Sequence, residues 1–457
     1  KTKVCSRGTP TNKYWLRVTD MTSYVVNTKE QRRAMLEEAG LDEQSFYASI
    51  PASVRLEKPL ALPHGKSELE VLRHLQKLAS KNTVYDVILR GAGAEHHFIP
   101  AVVRQISNRE EFVTAYTPYQ AELSQGILQS IFEYQSAICA LTGMDACNAS
   151  VYDGASAVAE AVNMTIDKKR SVVLIAGSIP PETLATVRTY TQWLPMSIEV
   201  VGLKNGKVDI EGLKSLLSDQ SACFVLQQPN YFGVLEDAEA LTNLAHQHGA
   251  KVVAVSNPMT LGYLKSPREY GADIAVGEAQ PLGMPLAYGG PYLGYMATTT
   301  ELVRRLPGRI VGQTLDLDGK RAYVLTLQAR EQHIRREKAS SSICSNQAHC
   351  ALTAGMYLSA LGPVGLKDVA TQCASKAHYL YNELSNLGFT LRYPASFFHE
   401  FVTEGPLDSD SIESLLSNEG ILSGLPLDEN GMLWCVTETS TKEDLDRVVT
   451  ILKGALK

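Results

Sequence analysis

An α/β fold is expected, with a large domain on a mainly parallel sheet and a small α+β domain at the C-terminus. Three observations predict it. From residue 150, short apolar runs at 171–176, 198–203, 222–227 and 251–256 alternate with helical stretches such as 237–248. Runs rich in β-branched residues and separated by helices form a sheet covered on both faces. After residue 360 the order becomes helix, short strands, helix, strand, helix, over 366–387, 389–392, 398–403, 409–418, 433–437 and 441–455. Finally, 457 residues accommodate one large α/β unit plus a smaller one.

Residues 1–20 read as an upstream extension, with Met21 the expected natural start. Residues 21–85 read as a helical arm. Thr28-Lys29-Glu30-Gln31 is a capping box and Gly40 a stop for its first helix; Ser67-Glu68-Leu69-Glu70 caps a second, whose Leu69, Leu72, Leu75 and Leu78 share one side. The large domain is expected over 86–360. Its first long helix spans about Leu123 to Thr142 and ends at Gly143, with Ile127, Leu128, Ile131, Phe132, Gln135 and Ile138 as a helical stripe. A later helix is expected from about Ile343 to Leu361, stopping before Gly362-Pro363. The small domain is placed at 361–457, its last helix opened by Ser440-Thr441-Lys442-Glu443.

Composition narrows the function classes. The chain is 44% apolar and 20% charged, with net charge −6, so no basic stripe suits a nucleic acid or an anionic membrane. No apolar run reaches the roughly 18 residues of a membrane span, and no signal-peptide pattern opens the sequence. Eight cysteines are scattered without a Cys-x-x-Cys pair, which fits neither a disulfide framework nor a zinc site and points to a reducing cytoplasm.

Several segments carry unusual chemistry. In Arg90-Gly91-Ala92-Gly93-Ala94-Glu95-His96-His97-Phe98-Ile99-Pro100, small residues permit close backbone approach, and the histidines exchange protons near neutral pH. Loop packing and active-site lining both suit it; a metal suits it poorly, since the histidines lack helical spacing. Tyr116 through Gly126 (Tyr-Thr-Pro-Tyr-Gln-Ala-Glu-Leu-Ser-Gln-Gly) sets two phenols and several amides before a helix, as a site for a small zwitterion or as an elaborate cap. Tyr152-Asp153-Gly154-Ala155-Ser156 has the form of a phosphate-cradling turn, but Asp153 puts a carboxylate where the phosphate would sit, which favours self-capping. Arg330 to Lys338, rich in Arg and Lys and followed by Ser340-Ser341-Ser342, reads as an anion contact or as a solvated charged face.

Residues 273–283 (Asp-Ile-Ala-Val-Gly-Glu-Ala-Gln-Pro-Leu-Gly) stand where a pyridoxal-phosphate enzyme carries its lysine, ahead of the strand Tyr-Gly-Gly-Pro-Tyr-Leu-Gly-Tyr expected at 288–295. The lysine is missing, and only a primary amine can form the Schiff base. Ser256-Asn257 stands where such enzymes set an aspartate against the pyridine nitrogen. Lys320 and Lys338 lie on no strand end and are expected at the surface.

These segments together resemble glycine decarboxylase, the P-protein of the glycine cleavage system, and more narrowly its N-terminal half, which many bacteria encode as subunit 1. The resemblance runs from about Tyr24 to the C-terminus. It rests on Gly91-Ala92-Gly93 with His97, on Tyr116-Thr117-Pro118-Tyr119-Gln120 through Gly126, on Tyr152-Asp153-Gly154 and on Pro229-Asn230-Tyr231-Phe232-Gly233. Tyr288-Gly289-Gly290-Pro291, Pro307-Gly308-Arg309 and Arg330 to Arg336 complete it. Ser340-Ser341-Ser342 replaces a more usual Thr-Ser-Asn. The resemblance implies a fold-type-I pyridoxal-phosphate transferase-like fold, with the cofactor bound covalently by a homologous subunit 2 and not by this chain. It further implies a heterotetramer of two subunits 1 and two subunits 2, which decarboxylates glycine and passes the aminomethyl group to a lipoyl H-protein. Tyr116, Tyr119, Gln120 and His97 are the residues expected to line the partner's site, and Ser341 and Ser342 to reach its cofactor phosphate. No metal is expected. The alternatives are a non-catalytic structural or regulatory scaffold for subunit 2, or an independent enzyme with an unorthodox lysine.

Overall fold

The computed structural model describes residues 28–56, 58 and 60–457, so the expected extension at 1–20 and start at Met21 lie outside the described residues. The chain divides into two compact units, to Asn82 and from Thr83. In the first, helix α1 (Lys29–Ala39) has the expected Thr28–Gln31 capping box and the left-handed Gly40. Helix α2 (Glu68–Ala79) is capped by Ser67 with Glu70, and Leu69, Leu72, Leu75 and Leu78 on it are all exposed.

The second unit is built on a seven-stranded sheet. Its strands are β1 (Ala146–Cys147), β2 (Val172–Ala176), β3 (Ser197–Val201), β4 (Ser221–Gln227), β5 (Lys251–Val255), β6 (Ile274–Glu278) and β7 (Gly294–Thr298), in the order β1-β7-β6-β5-β4-β2-β3. Strands β2 to β6 pair in parallel; β7 runs antiparallel to β6 and to β1. Strand β4 is buried along Ser221–Leu226, as an apolar run covered on both faces must be. Helix α3 (Gln125–Thr142) buries Leu128, Gln135 and Ile138 of the expected stripe and ends on left-handed Gly143. Helix α4 (Gly154–Thr165) packs almost wholly inside, with nine of its residues buried.

Three boundaries differ from expectation for local reasons. The strand at 288–295 begins only at Gly294, because Tyr288, Gly289 and Gly290 have positive φ, which no extended strand allows. The helix expected from Ile343 begins at Ala348, after Asn346 turns left-handed at φ 48°. Its end falls where expected: Gly362 is non-helical (φ 62°, ψ −178°) and Pro363 can donate no amide, so helix α5 (Ala348–Asn386) is two helices meeting at that break. The last helix (Lys442–Ala455) takes Thr441 and Asp444 as its capping box, one residue later than Ser440–Glu443.

Beyond α5 lies a four-stranded antiparallel sheet of β8 (Thr390–Leu391), β9 (Glu400–Glu404), β10 (Leu425–Pro426) and β11 (Met432–Cys435), in the order β8-β9-β11-β10. Its core, around Phe401, Trp434 and Leu445, is distinct from that of the large sheet. Val87 and Leu89 belong to this C-terminal core, and Val87–Ile88 pairs in parallel with Ile421–Leu422. Segment 87–98 therefore runs from the C-terminal layer to the edge of the large sheet, which is what places Glu95 and His97.

Candidate functional site

In an open α/β sheet, ligands bind in the crevice beyond the carboxyl ends of the strands. Here that crevice is filled by the chain's own side chains. Gln280, two residues past β6, is buried; its Oε1 accepts from the Glu95 amide at 2.8 Å, and its Nε2 donates to the carbonyls of Glu95 (2.9 Å) and Met284 (2.7 Å). Asn257, just past β5, donates from Nδ2 to both carboxylate oxygens of Glu95, at 2.8 Å each. Glu95 also meets His97 Nε2 at 3.1 Å, while His97 Nδ1 meets Glu438 at 2.7 Å. His399 Nε2 lies 3.2 Å from Glu95 but outside hydrogen-bonding alignment.

The electrostatics follow from that packing. Burial by itself raises the Glu95 carboxyl, but the imidazoles of His399 and His97 outweigh it and hold the group well below the usual carboxylate range. Burial by itself lowers His97, yet its contacts with Cys373, Glu438 and Glu95 raise it well above 6.5, so the ring is a buried cation between two carboxylates. Nearby Glu400, which accepts from the Ala92 amide at 2.7 Å, is pushed up to about 7 by burial and by repulsion from Glu95.

The helix start that would cradle a phosphate is occupied in the same way. Asp153 caps α4, accepting from the Ser156 amide and hydroxyl at 2.7 Å. Glu278 accepts from the amides of Gly154 (3.0 Å), Leu293 and Gln280 (2.9 Å each), and burial pushes its carboxyl up to about 7. A Cβ on Gly154 would lie 2.8 Å from the Glu278 amide nitrogen, so only glycine permits this approach.

A second group lies at the surface. The loop before α3 exposes Tyr116 (86%) and Tyr119 (52%), with Gln120 exposed beside them. Buried Arg309 donates to the Tyr119 hydroxyl at 2.9 Å and to Cys344 Sγ at 3.3 Å, and its guanidinium carbon sits 5.2 Å from the Tyr119 ring centroid. The His333 ring is 5.7 Å from that of Tyr119. A buried cation thus fixes the hydroxyl and one ring face of a tyrosine that stays half exposed.

The family model described as glycine cleavage system P-protein matches residues 22–452. The chain belongs to the glycine cleavage system P-protein family. A Moorella thermoacetica relative named probable glycine dehydrogenase (decarboxylating) subunit 1 is 48% identical over 95% of this chain and 100% of its own length. The Carboxydothermus hydrogenoformans relative of the same name is also 48% identical, over 94% and 99%. Among solved structures, an inhibitor-bound glycine decarboxylase (P-protein) superposes with TM-score 0.88 at 40% identity, covering 95% of this chain and all of that one. A NifS-like protein matches at TM-score 0.61 and 13% identity, over 81% of this chain and 99% of its own, and shows the shared fold alone.

For a P-protein-family chain, the residues present do not fit pyridoxal phosphate. The lysine position is an amide locked to backbone at both ends, the pyridine position is a neutral Asn257 bound to a carboxylate, and the phosphate cradle already holds Asp153 and Glu278. A Gln280→Lys variant given pyridoxal phosphate and borohydride is accordingly expected to carry no adduct at position 280 by peptide mapping; a stoichiometric adduct there would show that the lysine alone was missing. Neither candidate stray lysine approaches the crevice: Lys320 pairs with Asp318 on an exposed hairpin, and exposed Lys338 follows the Arg330 segment.

Of the sequence-predicted site residues, Tyr116, Tyr119 and Gln120 share one exposed loop. His97 lies apart from them in the buried crevice, with both ring nitrogens engaged. Ser341 donates to Glu160 at 2.9 Å, and Ser342 is exposed next to it. His399, Glu400 and Glu438 escaped sequence reasoning, because no local pattern joins them to a segment 300 residues earlier. Arg309 was visible only as part of Pro307-Gly308-Arg309.

Proposed function

We propose that this chain is subunit 1 of a glycine dehydrogenase (decarboxylating), an oxidoreductase of glycine catabolism. With subunit 2 it completes the site that decarboxylates glycine and transfers the aminomethyl group to the lipoyl arm of the H-protein. The observation that carries this reading is Gln280: a family member with the full frame has a backbone-locked amide in place of the cofactor amine. Pyridoxal phosphate, which serves as an electron sink when bound, accordingly belongs on subunit 2. Tyr116, Tyr119 and Gln120 orient glycine at the partner's site, with Arg309 setting the Tyr119 hydroxyl. His97 acts behind them by holding segment 90–98, and Ser341 and Ser342 face the partner's cofactor phosphate.

The assembly proposed is a heterotetramer of two subunits 1 and two subunits 2, in the cytoplasm. Seven unbridged cysteines among the described residues support a reducing location, and no described helix is long and apolar enough to cross a membrane. The division of the second unit into 86–360 and 361–457 is likewise a proposal, supported by its two cores, with Val87 and Leu89 joining the C-terminal one and Leu366 the other. Co-expression with a candidate subunit 2, followed by an assay of glycine-dependent CO2 exchange with H-protein, tests the function. Exchange is expected only with both chains present; equal exchange by subunit 2 alone would support the non-catalytic scaffold instead.

A further inference from the structure

The Arg330 segment has a feature that the glycine reading does not use. A cavity of about 150 Å³ opens between α4, residues 304–307 and residues 330–340. Five cationic side chains line it: Arg304, Arg305, Arg330, Arg335 and Lys338, joined by Ser340. None of the five has a carboxylate ion pair among the described residues, whereas Arg90, Arg109, Arg392 and Arg447 each have one. Arg305 spends one nitrogen on the Ile166 carbonyl at 2.7 Å. Arg330 donates from Nη1 to the Leu306 carbonyl, leaving its Nε and Nη2 buried without a partner.

Buried guanidinium donors left unpaired are costly, and converging like charges repel. The carboxylate on this wall does little to offset them. Glu160 lies on α4, its side chain reached by the Ser341 hydroxyl. Burial pushes that carboxyl up to about 7 against the Ser341 hydrogen bond, so near neutral pH it is protonated part of the time. The cavity is thus strongly cationic, and too small for anything beyond one compact anionic head.

We propose that this cavity is a binding site for a small oxyanion of the phosphate class, either free orthophosphate or the head of a phosphomonoester. Guanidinium forks match a tetrahedral oxyanion in geometry as well as in charge. Bound there, the anion accepts from the free Nε and Nη2 of Arg330 and neutralises the cations that otherwise face one another. The site uses neither the lysine position nor the Tyr119 group, and although it adjoins Ser341 through Glu160, orthophosphate binding by this chain alone is read separately from glycine turnover by the complex.

Calorimetric titration of the full chain with orthophosphate, at ionic strength held constant with chloride, tests it. Saturable one-to-one binding is expected, weakened about tenfold or more by Arg330→Gln and by Arg335→Gln, since each removes a charge-assisted contact. Arg335 is exposed, so its replacement spares the fold if Arg330→Gln does not. Glu160→Gln is expected to bind at least as tightly as the parent, and Lys320→Gln, on a distant exposed hairpin, with unchanged affinity. Glycerol 2-phosphate separates the sources: binding of both ligands admits a monoester, and binding of orthophosphate alone confines the site to the free ion. No saturable binding of either, or an equal loss in Lys320→Gln and Arg335→Gln, overturns the proposal.

Discussion

Replacing Glu95 with glutamine is expected to lower the unfolding free energy by about 3–5 kcal/mol, read as a reduced urea midpoint at pH 6. The size follows from what the substitution leaves behind. Glu95 is the acceptor for Asn257 and the counter-ion of His97 and His399, all within 3.2 Å. A glutamine is isosteric but presents an NH2 toward one of these donors and supplies no charge. The His97 cation then keeps only Glu438, and removing one partner of a buried ionic group costs the desolvation of what remains.

The pH dependence has a definite sign. Glu95 is held below its unfolded value, so its contribution is present above about pH 4.3 and is lost as pH falls through the folded pKa. His97 is raised, so its contribution is complete below about pH 6.5 and is lost as pH rises through the folded pKa. The stability gap between parent and variant is therefore widest between roughly pH 4.5 and 6.5 and narrows on both sides. A gap below about 1 kcal/mol, or one unchanged between pH 5.5 and 9.5, would mean that His97 is neutral in the fold.

The second large effect concerns turnover. In the reconstituted complex, Tyr119→Phe is expected to reduce glycine-dependent CO2 exchange by about 10²-fold, the scale seen when one positioned donor is removed from a reacting group. Tyr119 is half exposed, so its stability cost should stay near 1 kcal/mol or below. Arg309→Met should reduce exchange at least as much, since the buried guanidinium holds the phenol at 2.9 Å and also reaches Cys344 and Ser345. A purely structural role would move stability in Arg309→Met but leave Tyr119→Phe fully active. Unchanged exchange in Tyr116→Phe, Tyr119→Phe and Gln120→Ala together would favour the scaffold reading.

Much of the fold was legible because it is written in local patterns. The buried strands at 171–176, 222–227 and 251–256 announced themselves as β-branched runs, and the caps at Thr28, Ser67 and Gly143 stood at the ends of helical stripes. Boundaries slipped where one residue's backbone decided them. The left-handed turn at Asn346 delayed a helix and the positive φ values at 288–290 shortened a strand, whereas Gly362 ended its helix where Gly-Pro had marked the stop.

The site divides along the same line. The absences at Gln280, Asn257 and Asp153 are chemical identities, and an amide cannot become an amine whatever surrounds it; the sequence alone determined that the cofactor frame lacks its anchors. What fills the frame was decided only by tertiary structure. Glu95 reaches Asn257, and Glu438 and His399 arrive from a separate layer more than 300 residues away, because segment 87–98 pairs with the C-terminal strand at 421–422 before entering the crevice. Charges distant in sequence have no mutual energy until folding removes the water between them, so no reading of the chain in order could have foreseen the buried His97 cation or the unpaired cations around Arg330.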